Sequence, residues 1–194
     1  RDGNGAITLW RKGISAPLVI PALAPVDEDG AMPIFGFPGG IAFADNGGTL
    51  AAMRYDGRVH IIDTKTGKVV ESLPARFRGY SDRSPLAFKQ NGNAGMLAVS
   101  TGAPPIWLWR LPSRSLTEIV GCRYPVSALD LSPDGRLLAS ASGGYEPRPA
   151  LAEEPPNEAG AYHRPTIRIW DVASGQQIGD ALGGHEWPVA CIRF

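Results

Sequence analysis

The sequence predicts an all-β protein: a β-propeller of four-stranded antiparallel blades, with about four blades represented. Three observations predict it. Apolar and polar residues alternate with period two in short runs separated by Gly, Pro, Asn and Asp, the pattern of antiparallel strands. No stretch keeps a helical period over about ten residues. Four distinct strand types recur in a fixed order, and with two long loops set aside the period is about 40 residues, the length of one propeller blade. A generic β-sandwich would explain the alternation but not the ordered recurrence.

The elements follow in order. First strands read Ile41-Ala42-Phe43, Leu86-Ala87-Phe88 and Val126 to Leu131, and Val189 to Phe194 repeats the last of these in character, each of the two following a proline, Pro125 and Pro188. A turn closes the first three at Phe43 to Gly47, Phe88 to Gly92 and Leu131 to Gly135. In the last, Pro133 sets φ at the first corner and Gly135 accepts a positive φ. Second strands carry Leu50-Ala51, Leu97-Ala98 and Leu138-Ala139. Third strands end on a large residue, Trp10, Ile62, Trp109 or Trp170. Fourth strands are Pro17 to Leu23, Lys68 to Leu73, Ser115 to Val120 and Gln176 to Leu182. The layout is therefore the end of a blade at 1–23, three blades at 40–73, 85–120 and 126–182, and the start of another at 188–194, with long loops at 24–39 and 145–165. An arc of under four blades leaves radial apolar faces uncovered, so the chain reads as a piece of a longer protein.

Composition narrows the function classes. Of 194 residues, 43% are hydrophobic, and 19 basic side chains balance 19 acidic ones, which places the chain outside the disordered range. Net charge zero argues against a general nucleic-acid binder, because phosphate affinity needs a surplus of Lys and Arg. No apolar run reaches the roughly 18 residues of a membrane helix. The two cysteines, Cys122 and Cys191, are too few for a secreted disulfide scaffold and read as free, buried and inert thiols in a reducing compartment, which makes the expected location cytoplasmic.

Thr166-Ile167-Arg168-Ile169-Trp170-Asp171, Gly184-His185 and Leu131-Ser132-Pro133-Asp134-Gly135 resemble the WD-repeat β-propellers, whose signature runs from Gly-His to Trp-Asp. The match is strongest from Val126 to Phe194. Upstream, Arg110 follows Trp109, Arg11 follows Trp10, and Ile62-Asp63 stands where Trp-Asp would. The resemblance implies a hydrogen-bonded set of Asp, His, Ser/Thr and Trp in each blade. Here Ser142 and Trp170 match two members, Cys122 occupies the His position, and His185 matches the His of the next blade. With no set complete, blade stability is expected to rest on apolar packing by Leu50, Leu97, Leu138, Trp109 and Trp170. Trp10, Trp109, Ser142, Trp170, Asp171 and His185 are thus the expected structural residues.

The resemblance also sorts the loops. Connections from strand four to the next strand one, and from strand two to strand three, leave one face. The opposite-face turns are short and made of turn residues. Both long loops fall on the first face, as do Arg76-Phe77-Arg78-Gly79-Tyr80 and Glu186-Trp187. Candidate partner contacts are Arg76, Arg78, Tyr80 and Arg83, whose guanidinium groups suit carboxylate or phosphate; Tyr145, Arg148, Tyr162 and His163 around the second long loop; and Trp187, an aromatic of the kind that anchors interfaces. Solvated or packed surface residues are the competing reading of each.

Catalytic signals are weak. His60, His163 and His185 are scattered, and no zinc spacing, nucleophile elbow or phosphate loop occurs. Asp27-Glu28-Asp29-Gly30 and Asp2-Gly3-Asn4-Gly5 begin like calcium loops but lack the Glu at the twelfth position. The expectation is a non-catalytic interaction scaffold that binds protein partners, or other domains of its own chain, with no cofactor, no metal, no nucleic acid and no membrane. The alternative is a propeller-scaffold enzyme, a lactonase-like hydrolase or a quinoprotein. That reading needs several carboxylates or histidines around the channel, where the first strands offer Asp130 alone.

Overall fold

A computed structural model describes residues 6–10, 12–13, 15–20, 40–44, 47–53, 58–73, 85–92, 94–100, 105–145 and 162–194. Every regular element among them is a β-strand: β1 (Ile7–Leu9), β2 (Leu18–Ile20), β3 (Ile41–Phe43), β4 (Thr49–Met53), β5 (Val59–Asp63), β6 (Val69–Leu73), β7 (Leu86–Asn91), β8 (Ala94–Val99), β9 (Ile106–Leu111), β10 (Ser115–Ile119), β11 (Val126–Leu131), β12 (Leu137–Tyr145), β13 (Tyr162–Asp171) and β14 (Gln177–Leu182). They form three four-stranded antiparallel sheets, β3–β6, β7–β10 and β11–β14, in sequential up-and-down order, and a two-stranded sheet, β1–β2. These are the blade units of a β-propeller. The chain divides into two compact units, residues 1–82 and 83–194.

In the first unit, Leu9, Ile20, Leu50, Ala52 and Ile62 form a core, with Ile7 and Leu18 packed against it. Period-two alternation places them, since every second side chain of a strand faces the same way. Gly67, at the turn between β5 and β6, has φ +72°, and a Cβ there would meet Leu18 Cδ2 at 3.4 Å. Glycine thus accepts the left-handed corner, with β2 packed beside it. His60, 7% exposed, lies opposite Ser72 in register, and its Nδ1 is 2.8 Å from Ser72 Oγ. It is a satisfied structural histidine, as its place between Val59 and Ile61 led one to expect.

The second unit packs β7–β10 against β11–β14. One apolar cluster joins Ala87, Ala98, Ile106, Leu108 and Ile119 of the first sheet to Val126, Leu129, Leu138 and Trp170 of the second, with Cys122 between them. Gly121, with φ +133°, lies against the Trp170 ring, where an added Cβ would come within 3.1 Å of Cη2. Arg110 adds a polar tie: Nη1 donates to Thr117 Oγ1 (3.0 Å), and Nη2 donates to the Val172 carbonyl of the next sheet (2.9 Å).

Three expectations change. The long loop at 145–165 is shorter, because β12 and β13 continue past the core as a ladder: Tyr145 pairs with Tyr162 and Gly144 with His163. Residues 188–194 form no strand. Two of their bonds go to β11, where Ser127 Oγ donates to the Val189 carbonyl (2.8 Å) and the Phe194 amide donates to Asp130 Oδ2 (2.8 Å), and two stay within the segment, from Cys191 and Arg193 to the Ile192 carbonyl. A strand needs a backbone ladder, and none is paired with this segment among the described residues. Cys191 is exposed rather than buried; only Cys122 is enclosed, and both thiols are free.

Candidate interaction surface

Strand register defines the two ends of the β11–β14 sheet. β11 begins where Val126 faces Ser142, β12 ends at Tyr145, β13 begins at Tyr162, and β14 ends with Leu182 opposite Ile167. The connections 120–125, 146–161 and 183–188 therefore all leave from one end, and the β11–β12 and β13–β14 turns from the other.

The turn end is closed on itself. Asp171 Oδ1 accepts bonds from the Ser174 amide and hydroxyl, both at 2.7 Å. These bonds hold its carboxyl below the usual aspartate range, the side-chain bond contributing most. Ser132 Oγ donates to Asp134 Oδ1 (2.6 Å) and accepts from the Leu137 amide (2.9 Å); Asp134 is likewise shifted down, chiefly by Ser132. In the first unit Asp63 repeats the Asp171 arrangement, accepting from the Thr66 amide (2.6 Å) and hydroxyl (2.8 Å), and is lowered for the same reason. Ile62-Asp63 thus keeps the turn function of Trp-Asp without the tryptophan. Each of these carboxylates has its Oδ1 engaged within its own turn.

The loop end is open. Trp187 is 77% exposed, and His185, Glu186, Arg123 and Arg164 are exposed with it. Tyr145, Tyr162 and His163 are brought together by the prolonged β12–β13 ladder. Arg76, Arg78, Tyr80, Arg83 and Arg148, with Phe77 and the calcium-like stretches 2–5 and 27–30, lie outside the described residues.

Beneath the loop end sits the polar set the sequence only partly located. Trp170, 2% exposed, donates from Nε1 to Ser140 Oγ at 2.8 Å, and Cys122 Sγ lies 3.7 Å from the same hydroxyl. Burial pushes the Cys122 thiol up, so it stays protonated. The partner of the indole is therefore Ser140 and not Ser142. Trp170 faces Leu138 in register, and the diagonal neighbour two residues along is Ser140, while Ser142 lies a further step away. Ser142, fully buried, instead accepts from Arg168 Nη1 at 3.2 Å. That diagonal offset was the signal in the sequence. Trp109 is buried as expected, but its Nε1 has no hydrogen-bond partner among the described residues. Trp10 is 73% exposed; β1 ends at Leu9, and Leu9 and Ile20 fill the core that Trp10 was expected to anchor.

Asp130, on the first strand of its sheet, is buried and engaged by the Phe194 amide. Among the described residues no group of three or more His, Cys, Asp or Glu side chains could hold a metal ion.

No family model matches the chain. It is 36% identical over 69 residues to WD repeat-containing protein 62 of Mus musculus, an alignment covering 36% of this chain and 3% of that protein. The Sus scrofa protein of the same name is 35% identical over the same length. WD repeat-containing protein 90 of Mus musculus is 30% identical over 185 residues, covering 76% of this chain and 10% of that protein. The curated homologues of this chain are WD repeat-containing proteins. The chain spans no more than 10% of the length of the WD-repeat relatives it matches. Within it, Ser140, Trp170 and Asp171 supply the polar framework of the sheet with the fullest WD-repeat signature.

Proposed function

We propose that the chain is a non-catalytic WD-repeat interaction module of the cytoplasm that docks protein partners, or other domains of its own protein, on the loop end of its blades. The contrast between the two ends of the β11–β14 sheet carries this reading: short turns closed by Asp134 and Asp171 Oδ1 bonds lie at one end, while the other holds the exposed Trp187 and the Tyr145–Tyr162 ladder. A large aromatic on a rigid scaffold offers much contact area at low entropic cost, which suits an interface anchor. The WD-repeat homology and the blade-like sheets support the general class.

The test is a pull-down with the whole chain, a W187A variant and a variant in which a short Gly-Ser linker replaces residues 146–161. Partners are expected to be retained by the parent and lost or weakened by about tenfold in W187A, the usual scale of an interface aromatic. A partner set indifferent to both changes overturns the reading. A stoichiometric metal found in the purified protein would favour the enzyme class instead.

A further inference from the structure

Arg168 is a half-buried cation whose hydrogen bonds, among the described residues, go only to neutral groups. It lies in β13 opposite Ser140. Strand alternation puts it on the face that carries Trp170. Its Nη1 donates to Thr166 Oγ1 (2.6 Å) and to Ser142 Oγ (3.2 Å), toward the loop end. A guanidinium carries five donors in a rigid fork. Among the described residues Arg168 spends one nitrogen on two hydroxyls and forms no ion pair. The acid on the adjacent strand, Asp180, falls opposite the irregularity between Ile167 and Ile169 and is exposed, with no ion pair to Arg168. Arg110 shows the contrasting case, with Nη1 engaged by Thr117 of its own sheet and Nη2 reaching the Val172 carbonyl beyond it.

Two further cations lie at the loop end among the described residues. Arg164 lies two positions before Thr166, and Arg123 lies in the connection that also holds Cys122; both are exposed at the loop end. Glu186 is the acid beside Trp187 there. A partly desolvated guanidinium with a free fork edge gains a strong, directional pair when a carboxylate arrives, because the charge-assisted bonds replace weak neutral ones. Trp187 is an exposed aromatic of the same loop end.

Building on the proposed docking role, we infer that the loop end of the β11–β14 sheet binds an acidic segment of a protein partner, with one Asp or Glu carboxylate held by Arg168. Ser142 and Thr166 fix the guanidinium, and Arg123 and Arg164 attract the remaining charge.

Fluorescence anisotropy with labelled hexaglutamate and hexaglutamine peptides on the whole chain tests it. Hexaglutamate is expected to bind saturably, more weakly as salt rises, and hexaglutamine not to bind. R168Q should weaken hexaglutamate by about tenfold or more, with R168K intermediate because lysine keeps the charge and loses the fork. Equal binding of the two peptides overturns the inference and requires no protein variant. Unchanged hexaglutamate binding by R168Q overturns it too, as does binding of inorganic phosphate at Arg168 without binding of peptide. If Arg168 is instead neutralised by the chain's own loop, changing Glu146, Glu153, Glu154 and Glu158 together to Gln will lower the melting temperature as R168Q does, with no further loss on combination; that result also overturns it. Partner capture that is lost in W187A but intact in R168Q sinks this inference and leaves the docking role standing.

Discussion

The two sheets of the second unit solve the same packing problem differently. Trp109 and Trp170 occupy equivalent places, each near the end of a third strand and facing a leucine, Leu97 or Leu138, in the second. They are almost equally buried, at 3% and 2%. The diagonal neighbour is Val99 in one sheet and Ser140 in the other. Ser140 accepts the indole N–H; Val99 cannot, and Trp109 Nε1 is left without a partner among the described residues. The residue after each tryptophan diverges too. Asp171 closes its own turn, whereas Arg110 reaches out and ties the two sheets together. Apolar volume therefore sets the shape of a blade, and local polar bonding can be exchanged for bonding between blades.

The largest expected effect separates the two tryptophans. W170F should destabilise more than W109F by about 1–3 kcal/mol, because it leaves the buried Ser140 hydroxyl without its donor, while W109F removes a donor that has no partner. Urea unfolding of the two variants at one pH checks this, and equal losses break the comparison. A smaller effect comes from V99T, which offers Trp109 the hydroxyl it lacks. Val to Thr in a core ordinarily costs stability. Here the cost should fall within about 1 kcal/mol of zero, since a satisfied bond offsets the buried hydroxyl. In a W109F background the same change should cost more, and a double-mutant cycle reads the difference.

The smallest effect is on pH. Asp63, Asp134 and Asp171 have folded values below the ordinary aspartate value, so each contributes stability that is present above its unfolded value and lost as pH falls through the folded one. NMR titration should find all three carboxyl midpoints displaced downward. S174A should return Asp171 toward the usual range and leave Asp134 unmoved. Because these groups are exposed, the accompanying change in melting temperature should be slight.

Much of the blade was legible from residues one at a time. Leu50, Leu97, Leu138, Trp109 and Trp170 were marked as core by strand period alone and are buried. His60 was read as structural from its neighbours. Trp10 misled because a tryptophan at the end of an alternating run looks like an anchor, and the run ends one residue sooner. Cys191 misled for a related reason: burial was inferred from a strand that does not form. Ser140 and Arg168 were overlooked because their roles depend on a diagonal offset between strands and on which hydroxyls a long side chain reaches.

The sequence by itself determined the all-β class, the strand order, the turn positions and the apolar spine of each sheet. Alternation, turn chemistry and side-chain volume are local properties and can be read locally. The tertiary structure alone decided which serine receives the Trp170 N–H, that Arg110 joins two sheets, and, among the described residues, which indole is left without a partner and that Arg168 meets hydroxyls and no carboxylate. Each of these depends on angstrom-scale distances between residues far apart in the chain, and hydrogen bonding falls off too steeply with distance and angle for spacing along the sequence to settle it.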